Sequence, residues 1–224
     1  MNGLKEQVSQ AGLGGRIFSE QQVADLLGGS PARRYGVINR ALKDGSLVRL
    51  KRGTYALGQR YREETIHPFA VAQALVAGSY VSFETALAYH GWIPEAVFVT
   101  ASVTPGRKTM HFDVSDFGTF DFHPLALDDY RFLTGVDRTV FGQLTALVAQ
   151  PLRALMDLVA LRKVHWSGLG WVIGGLRIDE SRLLQLKRKD FVALRPVYKH
   201  QATNRFLNAL ESSLRMKPLW NEPE

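Results

Sequence analysis

From residue 19 onward the apolar spacing of the chain switches between a helical and a strand period. Ser19 with Gln22 three positions later is a capping-box pattern, and Val23, Leu26 and Leu27 form the apolar stripe of the helix that follows. Gly28-Gly29 ends that helix. Ser30-Pro31 opens a second, with Ser30 as N-cap and Pro31 at the first helical position, where its missing N–H costs nothing. At 100° per residue, Arg34, Tyr35, Ile38, Ala41 and Leu42 fall on one side of this second helix, Arg34 and Ala41 at its margin. Arg33, Gly36, Val37, Arg40 and Lys43 fall on the other, flanked by Asn39. The first side holds the core stripe. Gly45 suits the position just past a helix end, and two short β-favouring runs, Leu47–Leu50 and Thr54–Leu57, enclose the turn Lys51-Arg52-Gly53. Helix, tight turn, helix and hairpin in this order predict a winged helix-turn-helix over residues 1–60.

The polar stretch 58–66 reads as a linker, and residues 66–217 as a second, larger domain. Pro68 can start a helix with Phe69, Ala72, Leu75 and Val76 on one face, and another helix runs from Ser82 to near Gly91. Strand signals follow at 96–103, 109–114 and 119–122, separated by turns at 104–106 and 116–118; they predict an antiparallel meander packed on helices. An apolar stretch at 139–148 precedes a helix over about 151–164. The glycines between 168 and 175 suggest a flexible connection. One helix follows Asp179 and another spans about 201–215. The predicted fold class is α+β: an N-terminal winged helix-turn-helix, then a mixed α/β domain with an antiparallel sheet.

Composition is ordinary for a globular chain of 224 residues, with 46% hydrophobic and 22% charged side chains, and this argues against bulk disorder. Charge changes the picture. The net +7 of the whole chain resides in residues 1–62, which hold 11 basic and 4 acidic side chains; the remainder sums to zero, divided into an acidic middle and a basic segment at 177–217. Charge concentrated in one module points to a polyanion that this module meets. The chain has no cysteine, which excludes disulfides and thiolate chemistry. No apolar h-region and no run of about 18 apolar residues is present, so neither a signal peptide nor a membrane span is expected, and the reading is cytoplasmic.

On the second helix, Arg33, Arg40 and Lys43 surround the small Gly36 and Val37, so that the backbone can lie deep in a major groove while basic arms reach bases or phosphates, and Asn39 flanks this face. In the hairpin, Arg49, Lys51 and Arg52 would run along the neighbouring backbone or minor groove. Each of these side chains is singly compatible with a plain solvated face; the order and spacing of the elements favour double-stranded DNA. Catalysis gains no support. Asp116-Phe117-Gly118 lacks every companion motif of a kinase and reads as a hairpin turn, and the glycines at 168–175 have no Lys-Ser/Thr after them. His111, Asp113, Asp121 and His123 could meet across strands, but a wet sheet face produces the same string. No metal, cofactor or catalytic residue is assigned. The basic residues Lys187, Arg188, Lys189, Arg195, Lys199 and Arg205 are a solvated face, a second DNA contact or a surface for an acidic partner, while Phe191, Tyr198 and Phe206 belong to the core.

The string from Tyr35 to Leu57, with its Arg52-Gly53-Thr54-Tyr55, resembles the recognition helix and RGxY wing of the AbiEi family, the antitoxins and transcriptional regulators of type IV toxin–antitoxin (abortive infection) systems. His67-Pro68, Tyr80–Leu87 and Pro151–Leu158 are similar to later family segments, so that the likeness extends over about residues 17–215. The resemblance implies a non-enzymatic autoregulator that binds inverted repeats in its own promoter as a transcriptional repressor. It also implies a C-terminal domain that neutralises an AbiEii-like nucleotidyltransferase toxin. It transfers recognition roles to Arg33, Asn39, Arg40, Lys43, Arg49, Lys51 and Arg52. The six basic tail residues are the candidates for the toxin-facing surface. The rival readings are a stand-alone regulator whose C-terminal domain senses a ligand or partner, and a DNA-targeted nuclease, for which Asp113, Asp116 and Asp121 supply acids without a convincing lysine.

Overall fold

The computed structural model describes residues 3–62 and 64–216. Its first part is built from α1 (Leu4–Gln10), β1 (Phe18–Ser19), α2 (Glu20–Leu27), α3 (Pro31–Lys43), β2 (Leu47–Lys51) and β3 (Thr54–Leu57). The strands form an antiparallel sheet in the order β1-β3-β2. Local chemistry sets the boundaries. Gln22 N–H donates to Ser19 Oγ at 3.2 Å and Ser19 N–H to Gln22 Oε1 at 2.8 Å, which completes the capping box of α2. Gly28 and Gly29 take φ of 57° and 72°, the left-handed region that glycine adopts without steric penalty, and Arg33 N–H donates to Ser30 Oγ to start α3. Leu4, Val8, Phe18, Val23, Ile38, Ala41, Leu47, Tyr55 and Leu57 pack into one core.

The rest comprises α4 (Pro68–Leu75), β4 (Tyr80–Val81), α5 (Phe83–Tyr89), β5 (Val99–Thr104), β6 (Met110–Val114), β7 (Gly118–Pro124), β8 (Val136–Phe141), β9 (Leu144–Ala149), α6 (Pro151–Arg162), α7 (Glu180–Leu184), α8 (Arg188–Leu194) and α9 (Gln201–Arg215). Its six-stranded sheet has the order β6-β7-β5-β4-β9-β8. This corrects the expected antiparallel sheet: β5 pairs with β7, and β4 with β9, in parallel. The β5–β7 segment is not a meander. The chain leaves β5 and crosses to the far side of β7, so β6 becomes the edge strand, and residues 105–109 are long enough to span the two strand spacings of about 4.8 Å each.

One further expectation is corrected. Residues 168–175 are not a plain flexible connection: Trp171–Gly175 forms a π-helical turn with Val172 buried, and the rings of Trp166 and Trp171 meet Phe206 edge-on at 5.0 and 6.0 Å. Within the stretch read as a linker, Arg62 is held in place. Arg62 donates to Leu57 O at 2.7 Å and to Asp116 at 3.1 Å and lies 4.0 Å over the Phe117 ring. Asp116, with φ of 67°, occupies the hairpin turn expected for the Asp-Phe-Gly triplet.

Both faces of the β2–β3 hairpin are covered. Leu47, Tyr55 and Leu57 point into the first core, whereas Val48, Leu50 and Ala56 are buried in the second, larger core with Phe69, Val71 and Leu75 of α4. A buried polar cluster holds that second core together. The α6 side chains Arg153 and Asp157 are fully buried and paired at 2.9 Å. Tyr80, Ser82 and Tyr198 donate to the Asp157 carboxylate at 3.0, 2.7 and 2.8 Å, and Arg153 also donates to Thr134 O and to the Tyr80 oxygen. Burial alone would depress the Arg153 pKa, but Asp157 beside it wins and holds the guanidinium charged; burial, reinforced by Asp157, pushes both tyrosines well up.

Candidate nucleic-acid interface

One side of α3 is buried through Ile38 and Ala41, with Val37 and Leu42 packed partly buried beside them. Val37 therefore flanks the core and does not line the outward face on which the helical wheel placed it. Arg33, Arg40 and Lys43 are exposed, and Gly36 and Asn39 are half-buried between them. A Cβ added at Gly36 would meet nothing within 4 Å, so internal packing does not require glycine there. Glycine inside a helix costs about 1 kcal/mol relative to alanine, and at Gly36 it leaves the backbone of α3 open to its surroundings.

Tyr35 stands on the other margin of α3. It was expected with the core stripe, yet it is 69% exposed, because the hairpin does not close over this flank. Between α3 and the hairpin remains a cleft of about 820 Å³, lined by Arg34, Tyr35 and Asn39 on one side and Arg49, Arg52 and Tyr55 on the other. Glu20 and Gln21 of α2 close one end. The Arg34 guanidinium donates to Gly29 O at 2.6 Å, which ties it to the turn between the helices. Arg34 and Tyr35 thus line the cleft, which the helical wheel did not indicate. Their signal was present in Arg34 at the margin of the core stripe, but the position of the hairpin is a tertiary fact.

The hairpin separates its cations. Arg49 pairs with Tyr55 and Lys51 with Thr54, with a register shift between them. Gly53 takes φ of 73° at the tip, and Arg49 and Arg52 are exposed toward the cleft. Lys51 is turned away: its ammonium donates at 2.9 Å to Leu75 O, at the end of α4. The return from α3 to β2 is held by Asp44, whose carboxylate accepts from Ser46 N–H and Oγ at 2.9 and 2.6 Å; these hydrogen bonds lower the Asp44 pKa and favour its ionised form.

The six tail cations are spread over several elements. Lys187, Arg188 and Lys189 are exposed at the start of α8, Lys199 precedes α9 and is 3.5 Å from Asp129, and Arg205 lies on α9 near Gln201. Arg195 is paired with the buried Glu211 and donates to Asn208 at 3.2 Å, so part of its charge is spent internally. Phe191, Tyr198 and Phe206 are buried, as the spacing predicted.

On the outer sheet strands, His111 bridges Asp121 at 2.6 Å and Asp113 at 3.2 Å, and its pKa is raised first by the Asp121 hydrogen bond and then by Asp113. His123 does not join them; it meets the Phe83 ring at 5.7 Å. Among the described residues, no group of three or more histidine and carboxylate side chains could hold a metal ion. No helix among them is long and apolar enough to cross a membrane.

Comparison with known proteins agrees with the geometry at the N-terminal end. The fold as a whole is similar to the crystal structure of the RV2827C protein from Mycobacterium tuberculosis, with a TM-score of 0.57 at 15% identity, covering 98% of this chain and 83% of that one. No curated protein sequence matches the chain. A family model described as "Transcriptional regulator, AbiEi antitoxin" matches residues 11–58, from the loop after α1 through β3. Residues 11–58 of this chain are thus similar to the AbiEi antitoxin family of transcriptional regulators.

Proposed function

We propose that the chain is an autorepressing antitoxin, and that its first sixty residues form a winged helix-turn-helix domain joined to a second domain at about 66–216. In this reading α2 and α3 are the helix-turn-helix and the β2–β3 hairpin is the wing. The observation that carries it is the cation-lined cleft between α3 and the hairpin, within the segment that matches a regulator family. Inserted in a major groove, α3 presents Asn39 and Arg40 to base edges, and Arg33, Lys43, Arg49 and Arg52 to phosphates on either side. Tyr35 and Arg34 extend this surface toward the wing. The DNA would be inverted repeats in the chain's own promoter, and repression would follow from occlusion. The second domain would neutralise a nucleotidyltransferase-type toxin, with Lys187, Arg188 and Lys189 its most accessible cations.

The test is fluorescence anisotropy of the purified protein on its own upstream DNA and on a scrambled duplex, at several salt concentrations. Tight binding to the upstream fragment is expected, with a log–log salt slope of roughly −4 to −5 for about five neutralised phosphates. Equal affinity for both duplexes would overturn the repressor reading. Co-expression with an AbiEii-like nucleotidyltransferase toxin tests the antitoxin arm, and rescue of growth is the expected result.

A further inference from the structure

A second cleft lies far along the chain from α3 and the hairpin. It opens where α6 ends and α9 begins, with Pro124–Ala126 at the end of β7 closing its third side, and encloses about 440 Å³. This is within the size range of small-molecule pockets, about 300–1,000 Å³. Its floor is apolar, formed by Leu125, Val159, Ala160 and Val164. Its rim carries Lys163, His165 and His200, all exposed, and no carboxylate is among its lining residues. None of these three side chains has a hydrogen bond or ion pair among the described residues.

The inner end of the cleft holds an unmatched polar group. Thr203, in the first turn of α9, is only 5% exposed and lines the cleft, yet its hydroxyl has no partner among the described residues. The hydroxyl oxygen is not among the fully buried atoms left without a partner, so it stays open to the cleft and is available to donate to an occupant. Beside it, the fifteen-residue α9 begins at His200 without any side-chain cap, so its first N–H groups and the positive end of its dipole also face this region. Lys163 holds the left-handed position after α6, with φ of 53°, where glycine would be unstrained; the lysine places a long cation at the mouth instead.

We propose that this cleft binds a small amphipathic anion. The apolar body would sit on Leu125, Val159 and Val164. The carboxylate or phosphate head would lie between Lys163, His200 and the N-terminus of α9, accepting from the Thr203 hydroxyl. Tyr198 forms part of the wall and donates from its other side to buried Asp157, so an occupant would touch the polar cluster that holds the second core. The site shares no lining residue with the α3 cleft, and its existence does not depend on DNA binding.

The experiment is calorimetric titration of the full chain with decanoate, decyl phosphate and, as the uncharged control, decanol, all below their micelle concentrations. Saturable binding of decanoate or decyl phosphate is expected, tighter than decanol by about tenfold or more. The exposed double substitution Lys163→Gln/His200→Gln should reduce that affinity by about tenfold without changing the thermal midpoint of the free protein. Thr203→Val should weaken the anions and leave decanol unaffected. If neither anion saturates, if decanol binds equally well, or if the double variant retains full affinity, the proposal is wrong.

Discussion

Lys51 and Arg49 sit two residues apart in one strand and face different surroundings, and so they predict different phenotypes. Lys51→Ala removes the donor to a partly buried carbonyl, Leu75 O, and should cost about 1–3 kcal/mol of stability while leaving the salt slope of DNA binding unchanged. Arg49→Ala should leave stability within about 0.5 kcal/mol and flatten the slope by about 0.9. Urea titration and salt-dependent anisotropy separate the two. Asp157 is the residue on which most internal hydrogen bonds converge; Asp157→Ala leaves the Arg153 charge buried and unpaired and should cost about 3–5 kcal/mol, read by chemical denaturation. His67 gives a pH dependence. Its ring stacks on Phe141 at 4.1 Å and its Nδ1 accepts from Phe69 N–H, while burial lowers its pKa below the ordinary value of 6.5. Its neutral form is favoured on folding, so its contribution is complete above about pH 6.5 and is lost as the pH falls through the folded-state pKa. His67→Asn keeps an acceptor at the cap and should make stability between pH 7 and 5 less dependent on pH, as measured by thermal unfolding.

At the scale of elements, the places where signals are local were legible and the places where partners are distant were not. Ser19, Gln22, Ser30, Pro31 and the Gly28-Gly29 turn define α2 and α3 through contacts within a few residues, and the pattern locates them correctly. The pairing that was missed, β5 with β7, joins Val99 to Thr119 twenty residues on, and nothing in the period-2 pattern of 109–114 says that β6 does not lie between those two strands. The side of α3 that carries Tyr35 was misjudged for the same reason: a wheel gives the angle of a residue but not where the hairpin docks. The Arg188–Leu194 helix escaped notice because its capping pair, Lys187 with Asp190, has no Ser, Thr or Asn to mark it. One close approach ties the ends of these elements together. A Cβ on Gly58 would lie 1.9 Å from Gly45 O, backbone against backbone, although the φ of Gly58 is ordinary. Gly58→Ala should therefore push the start of β2 from the end of β3 and cost about 3 kcal/mol or more, visible as a lower melting temperature.

For the molecule as a whole, the hairpin determines how its parts respond together. Leu50 lies on β2 yet is buried with Phe69 and Leu75 of α4, so damage there is felt in both cores. Leu50→Ala should cost about 2–5 kcal/mol. All four tryptophans, at 92, 166, 171 and 220, lie outside the first sixty residues, so their fluorescence reports only the second part while far-UV circular dichroism reports both. With the cores joined through the hairpin, the two signals should follow one transition and shift together in the variant. Two separated transitions would mean that the parts unfold independently.

The same doubly covered hairpin has a consequence during synthesis. The basic segment is translated before α4, so Val48, Leu50 and Ala56 have nothing to pack against until α4 and the sheet beyond it have been made. A nascent or prematurely terminated chain ending near residue 62 would carry its exposed arginines together with a bare apolar face. Such fragments are expected to be substrates for chaperones and proteases, since only a chain translated past α4 and the larger sheet can cover both faces of the hairpin.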